Sequence, residues 1–289
     1  MKHNSMAFTT RKTAEIMKRW SLIVIFFLLI LPITHAANTE TEFEPKAVLD
    51  AVKAELSKSR ISKGPDSSMV TRSPIGPRLF RSTVNAVVRI VVVEEDPDGK
   101  LQPVSQGSGV VVSEKGTILT NWHVVWPQER VVVIFYQGPN KDPNKLTEKD
   151  LWWGQVDKLD QTRDLALIQL LASKDRRIPS DLKAITLEDP ARLEVGQDVF
   201  AIGHPGELLW TYTEGVISQI RPRYQWKDEG GEHRAEVIQT QTVLSFGSSG
   251  GPLINLNGKL IGIAQSMNTK HPGINLAISV YELKSFLGR

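Results

Sequence analysis

Ser245-Phe246-Gly247-Ser248-Ser249-Gly250-Gly251-Pro252-Leu253 is the stretch on which the reading of this chain turns. It sets a serine among glycines. Glycine-rich backbone can approach another chain closely and present N–H groups without Cβ obstruction. A neutral serine hydroxyl is a poor nucleophile near pH 7. It needs a base that titrates near that pH, and histidine fits. That histidine in turn needs a carboxylate to fix its tautomer and stabilise its cation.

Upstream, Gly116-Thr-Ile-Leu-Thr-Asn-Trp-His123-Val-Val125 places a histidine just after an apolar strand. Between the two, Thr162-Arg163-Asp164-Leu-Ala-Leu-Ile-Gln-Leu170 places an aspartate at the mouth of another strand. Ser249 is read as nucleophile, His123 as general base then acid, and Asp164 as orienting carboxylate. Ser245 and Ser248 compete with Ser249, but only Ser249 has Gly-Gly-Pro after it and Gly two places before it. Asp160 competes with Asp164, but only Asp164 directly opens the apolar strand, and Asp160 is read as solvated. His204, His233 and His271 are read as structural or loop residues.

Composition narrows the alternatives. The chain has 289 residues, 40% hydrophobic and 23% charged, as in an ordinary globular protein. Residues 1–36 hold five basic and one acidic side chain, leaving 30 basic against 31 acidic in the rest. The body therefore offers no basic surplus for nucleic acid. With no cysteine, disulfides, thiolate zinc sites, iron–sulfur clusters and a cysteine nucleophile are excluded. The histidines lack zinc spacing, and no cofactor or metal is expected.

Lys18-Arg19, an apolar run of about 14 residues from Trp20 to Ile33, and Thr34-His35-Ala36 form an export-signal pattern, with cleavage expected after Ala36. The run is short for a bilayer that needs ~20 residues, so no stable span is expected after cleavage, an uncleaved signal anchor being the alternative. Met17 would start an ordinary signal peptide. Residues 37–78 are read as an N-terminal extension, with an amphipathic helix over Lys46–Leu56 followed by a Ser/Gly/Pro-rich linker. Val48, Leu49, Val52 and Leu56 share its apolar face, which must dock on the same chain or on a neighbour.

From Leu79 onward, short β-rich runs recur between turn signals: Ala86–Val93, Gly109–Ser113, Val131–Phe135, Leu165–Leu171, Val199–Gly203, Gly215–Ile220, Ala235–Thr240, Leu260–Ala264 and Ile274–Val280. This is the texture of an all-β barrel or sandwich. Gln137–Trp153 reads as a polar, insertion-like loop.

In their order, these segments resemble the trypsin-like serine endopeptidases, and look most like the HtrA/Deg branch of bacterial envelope proteases. Further support comes from Gln106-Gly-Ser-Gly-Val-Val-Val112, Ala201-Ile-Gly-His-Pro-Gly206, Thr213-Glu-Gly-Val-Ile-Ser218, Gly262-Ile-Ala264 and Ile274-Asn-Leu-Ala-Ile278. The resemblance implies two six-stranded antiparallel β-barrels, about 79–186 and 187–289, preceded by the short helical extension. It implies oxyanion donors at the N–H groups of Gly247 and Ser249. It implies an S1 pocket floored by Val243 and walled by Ala264 and Gln265, apolar and suited to small or medium aliphatic residues. The partners implied are protein or peptide substrates, in envelope quality control or processing, periplasmic or secreted. An N-terminal extension with aromatic residues, here Phe43 and Phe80, implies a homo-oligomer, a trimer.

The pattern is also departed from. Ser248 stands where this branch usually has Asn, and Ser245-Phe246 replaces Asn-Pro. No Asp precedes the nucleophile, so activation by pairing with a newly cut N-terminus is not expected. The chain leaves no room for a PDZ domain after the last expected strand, so gating through one is not expected either. Two other readings compete: a catalytically inactive protease-like binding or chaperone module, and a glutamate-specific exported protease, for which only His271 could line the pocket.

Overall fold

The computed structural model describes residues 44–56, 75–138, 145–205, 208–228, 230–265 and 273–289. The export signal, Phe43, most of the linker and His271 lie outside the described residues.

Strand β1 (Val87–Glu95) is buried without interruption from Val87 to Val93. The reason is that both of its faces are covered. Val88, Ile90 and Val92 point into a barrel core with Val131 and Val133 of β4 (Arg130–Phe135), while Val91 and Val93 point outward with Val132 and Ile134. Covering that outer face is helix α1 (Pro45–Leu56), which buries Val48, Ala51 and Val52 there. Each buried valine contributes roughly 1.5–3 kcal/mol before ordering costs. The helix thus lies where the sequence places it, and its apolar face is seated on the protein's own barrel.

Helix α2 (Ile75–Thr83) starts inside the stretch read as linker. Pro77 falls in its first turn, where a missing N–H breaks no helical hydrogen bond. Leu79 is buried, and Phe80 packs edge-on against Tyr136 and Tyr212, with ring centroids 6.0 and 6.2 Å away.

With β1 and β4, strands β2 (Leu101–Ser113), β3 (Thr117–Thr120), β5 (Leu151–Asp160) and β6 (Leu165–Leu170) close an antiparallel barrel in the order β1-β2-β3-β6-β5-β4. A second closed barrel comes next: β7 (Asp198–Gly203), β8 (Thr211–Asp228), β9 (Gly231–Thr240), β10 (Pro252–Asn255), β11 (Leu260–Gln265) and β12 (Asn275–Ser279), in the order β10-β11-β12-β9-β8-β7. The architecture is therefore two six-stranded barrels, not a sandwich. A terminal helix runs over Val280–Leu287.

Two expectations are corrected by the fold. The polar loop expected to reach Trp153 ends earlier, because β5 begins at Leu151; Trp152 is buried, with the Arg176 guanidinium 3.3 Å above its ring. The β8–β9 hairpin is also much longer than its sequence runs suggest, extending to Asp228 and back from Gly231.

Candidate active site

Pairing of β3 with β6 decides the first half of the site. Thr120 is opposite Ala166, so the residues just after β3 meet those just before β6. After β3, Asn121 leads into a single helical turn, α3 (Trp122–Val125), that carries His123. Before β6, Asp164 adopts a left-handed backbone, φ 56. Its carbonyl accepts from Asn121 Nδ2 at 2.9 Å, and its N–H donates to Gln161 O at 3.1 Å. The carboxylate is fully buried.

That carboxylate grips His123 twice. The His123 backbone N–H donates to Oδ1 at 3.0 Å, while Nδ1 lies 3.0 Å from Oδ1 and 2.8 Å from Oδ2. Burial disfavours the imidazolium, but the charge and hydrogen bond of Asp164, with a further contribution from Asp228, outweigh it. The His123 pKa is raised above its ordinary 6.5. A ring held at Nδ1 by a carboxylate presents Nε2 as the free acceptor.

The second barrel supplies Ser249, in the turn between β9 and β10. Ser249 O accepts from Ser108 N–H of β2 at 2.8 Å, which ties this turn to the first barrel. Ser248 N–H closes the turn onto Ser245 O at 2.8 Å, with Gly247 at φ 90. Gly250 is tighter still: at φ 85, a Cβ there would stand 2.0 Å from Ser108 O. Only glycine fits both the dihedral and the space.

His123, Ser249 and Gly247 line one cleft of about 650 Å³ with Trp122, Trp126 and Phe246. Phe246 and Trp126 are exposed at its edge. Of the three residues expected to build the S1 pocket, Val243 is 64% exposed, while Ala264 and Gln265 are buried in β11. The segment after Gln265 that would complete such a wall lies outside the described residues.

The sequence reading missed other residues of the cleft. Asp228 and Gly230 reach it from the tip of the long hairpin, and Glu55 from the end of α1. Asp228 Oδ1 accepts from Gly230 N–H at 2.8 Å and sits 2.9 Å from His233 Nε2; His233 Nδ1 faces Gln161 O at 2.6 Å and its ring stacks on Trp226. His233 is thus structural, as expected. Asp160 is not simply solvated: it accepts from Arg163 N–H at 2.9 Å and from its guanidinium at 2.6 Å, and Arg163 also binds Glu282 at 2.8 Å.

Comparison with known proteins agrees with this architecture. Residues 107–263 match the family model described as a trypsin-like peptidase domain. The chain is similar to serine protease HTRA2, mitochondrial, of Bos taurus, 33% identical over 234 residues, covering 77% of this chain and 46% of that protein. It is similar to serine protease HTRA1B of Danio rerio, 34% over 204 residues, 70% of this chain and 38% of that one. It is also similar to HhoA of Synechocystis sp., 31% over 271 residues, 89% and 63% respectively. The chain thus spans between about two fifths and two thirds of the length of these curated relatives. With its two closed barrels and this match over more than half of its length, the chain belongs to the trypsin-like peptidase family.

Proposed function

We propose that this protein is an exported, HtrA-like serine endopeptidase that cleaves protein or peptide substrates through an acyl-enzyme. The observation that carries the reading is the double grip of Asp164 on His123, in a cleft shared with Ser249. In the proposed reaction His123 Nε2 takes the Ser249 hydroxyl proton as Oγ bonds to the scissile carbonyl carbon. Asp164 stabilises the imidazolium that results. The carbonyl oxygen becomes an oxyanion, met by the N–H groups of Gly247 and Ser249. Collapse breaks the C–N bond, and His123 returns the proton to the leaving amine. Water then enters, and the same proton path releases the acid and regenerates Ser249.

Val243, with Ala264 and Gln265, remains the proposed S1 determinant; none carries a charge to meet Arg, Lys or Glu. Export to the periplasm or outside the cell rests on the Lys18–Ala36 pattern, and a trimer on the resemblance to HtrA-like extensions. Among the described residues no helix is long and apolar enough to cross a membrane.

A fluorophosphonate probe tests the reading. It should label wild-type protein at Ser249, and Ser249→Ala should keep its fold while losing both labelling and casein hydrolysis. If the folded wild-type protein is neither labelled nor hydrolytic, the inactive binding module is the correct reading.

A further inference from the structure

Beneath the nucleophile turn lies a buried polar chain that the proposed reaction does not use. Ser108 of β2 is fully buried, and His204, just after β7, is 1% exposed. Ser108 Oγ lies 2.7 Å from Gly247 O and 2.8 Å from His204 Nδ1. A carbonyl oxygen only accepts, so the single hydroxyl proton of Ser108 is committed to Gly247. The imidazole must then donate to Ser108, which puts the His204 proton on Nδ1. Its other nitrogen, Nε2, is buried without a hydrogen-bond partner among the described residues. Burial first, and then the positive charge of the buried Arg89, hold the His204 pKa well below its ordinary value. The ring is therefore neutral, with one proton in one place. Trp210 packs edge-on against it, ring centroids 4.9 Å apart.

What this chain grips is the Gly247 carbonyl. Gly247 is the third residue of a turn that demands a positive φ at that position. Reversing the peptide between Phe246 and Gly247 would leave the turn closed but turn the Gly247 N–H to the opposite side of it. Anchoring that carbonyl fixes the Gly247–Ser248 peptide, so the Gly247 N–H can turn only through its own φ and the peptide before it.

We propose that His204 and Ser108 are positioning residues: the relay His204 Nδ1–H to Ser108 Oγ–H to Gly247 O holds the nucleophile turn in the geometry that stabilises an oxyanion. The inference rests on the reading of Gly247 and Ser249 as oxyanion donors. Neither relay residue touches substrate.

Ser108→Ala and His204→Phe break the relay, whereas His204→Asn keeps an N–H donor near the place of Nδ1. A full oxyanion donor is worth about 100- to 1000-fold in rate, so a loosened one should lower kcat by ~10- to 100-fold. In the two breaking variants KM should stay within about threefold, given that substrate binding is untouched in this account. Affinity for a peptide boronic acid, which mimics the tetrahedral adduct, should fall in step with kcat/KM. The midpoint of the pH–rate profile, set by His123 and Asp164, should not move, and His204→Asn should recover most of the loss. Breaking variants that match wild type in kcat would overturn the proposal, as would a loss in which KM and the pH midpoint shift while boronic acid affinity holds. Long-range nitrogen–proton correlation spectra of the folded wild-type protein test the relay without any activity. A His204 proton on Nδ1 is expected, and one on Nε2 overturns the relay. Failure of the fluorophosphonate to label Ser249 is a different result and removes the enzymatic reading instead.

Discussion

Replacing Asp164 by asparagine changes one oxygen into an NH2 group, and the hydrogen bonds around the carboxylate decide which one. Oδ1 accepts from the His123 backbone N–H at 3.0 Å, a donor that cannot change its character. The amide oxygen must therefore take that position, leaving the NH2 group facing Nδ1 at the 2.8 Å separation of Oδ2. The nearer contact of Nδ1 is then a donor, 2.8 against 3.0 Å for the oxygen, which favours an accepting Nδ1 and a ring proton on Nε2. A ring with its proton on Nε2 cannot take the Ser249 proton. Wrong-tautomer histidine in the serine-protease template costs about 10^4-fold in kcat, or ~5.5 kcal/mol at 1.36 kcal/mol per decade. The charge that raises the His123 pKa is also lost, with only the weaker contribution of Asp228 left to raise it. The assay is kcat/KM against pH on an aliphatic peptide ester. Wild-type activity should rise with pH through a midpoint above 6.5, as His123 loses its proton. Asp164→Asn should plateau about four decades lower, with its midpoint shifted to lower pH. A variant that keeps a tenth of wild-type kcat/KM, or an unmoved midpoint, would refute the reasoning.

The other predictions test packing, charge and specificity. Gly250→Ala must force a Cβ to within 2.0 Å of a backbone oxygen at a positive φ, so it should cost more than about 4 kcal/mol and lower the melting temperature by roughly 8 °C or more; a shift under about 2 °C sinks this account. The pKa of Glu188 is lowered from 4.5 by the Asp189 N–H, against the cost of burial, and further by Asn255 and Lys259. Its stabilisation is present above that unfolded value and is lost as pH falls through the lowered folded one, so Glu188→Gln should melt earlier than wild type at pH 7, with the gap closing in acid. A gap independent of pH would show that its charge is not what matters. Peptide-library cleavage should occur after Val, Ala, Ile or Leu, and a profile dominated by Arg, Lys or Glu would displace Val243 as the determinant.

Much of the site was legible because its residues carry their own physical signatures. Ser249 stands out by glycines whose tight contacts the fold explains, and His123 and Asp164 by lying at the ends of strands that turn out to be partners. The hairpin carrying Asp228 was not legible. Its ladder is broken by irregularities between Ile217 and Gln219 and between Arg221 and Tyr224, so the period-2 alternation fades near Ile220 while the strand continues. Strands β3 and β10 have four residues each, too few to show a period, and β10 opens on Pro252. The partner of the helix at 45–56 could not be read at all: a stripe of valines specifies an apolar surface but not whose. For the same reason His204 looked like an ordinary loop histidine. Its role depends on Ser108, which is 96 residues away in sequence.

The division of the site between two barrels sets a clock on its own appearance. His123 and Asp164 are 41 residues apart and meet within the first barrel, which a growing chain completes early. The nucleophile turn is anchored to that barrel by a contact spanning 139 residues, from Ser108 to Gly247, and it is itself framed by strands that run to Ser279. Domains fold as units in order of emergence, so the first half can be finished while the second is still being made. On the proposed function, a partly synthesised chain would hold a base with nothing to activate. Hydrolysis would begin only once the strands up to Ser279 were free to fold, which would spare the nascent chain and the machinery handling it.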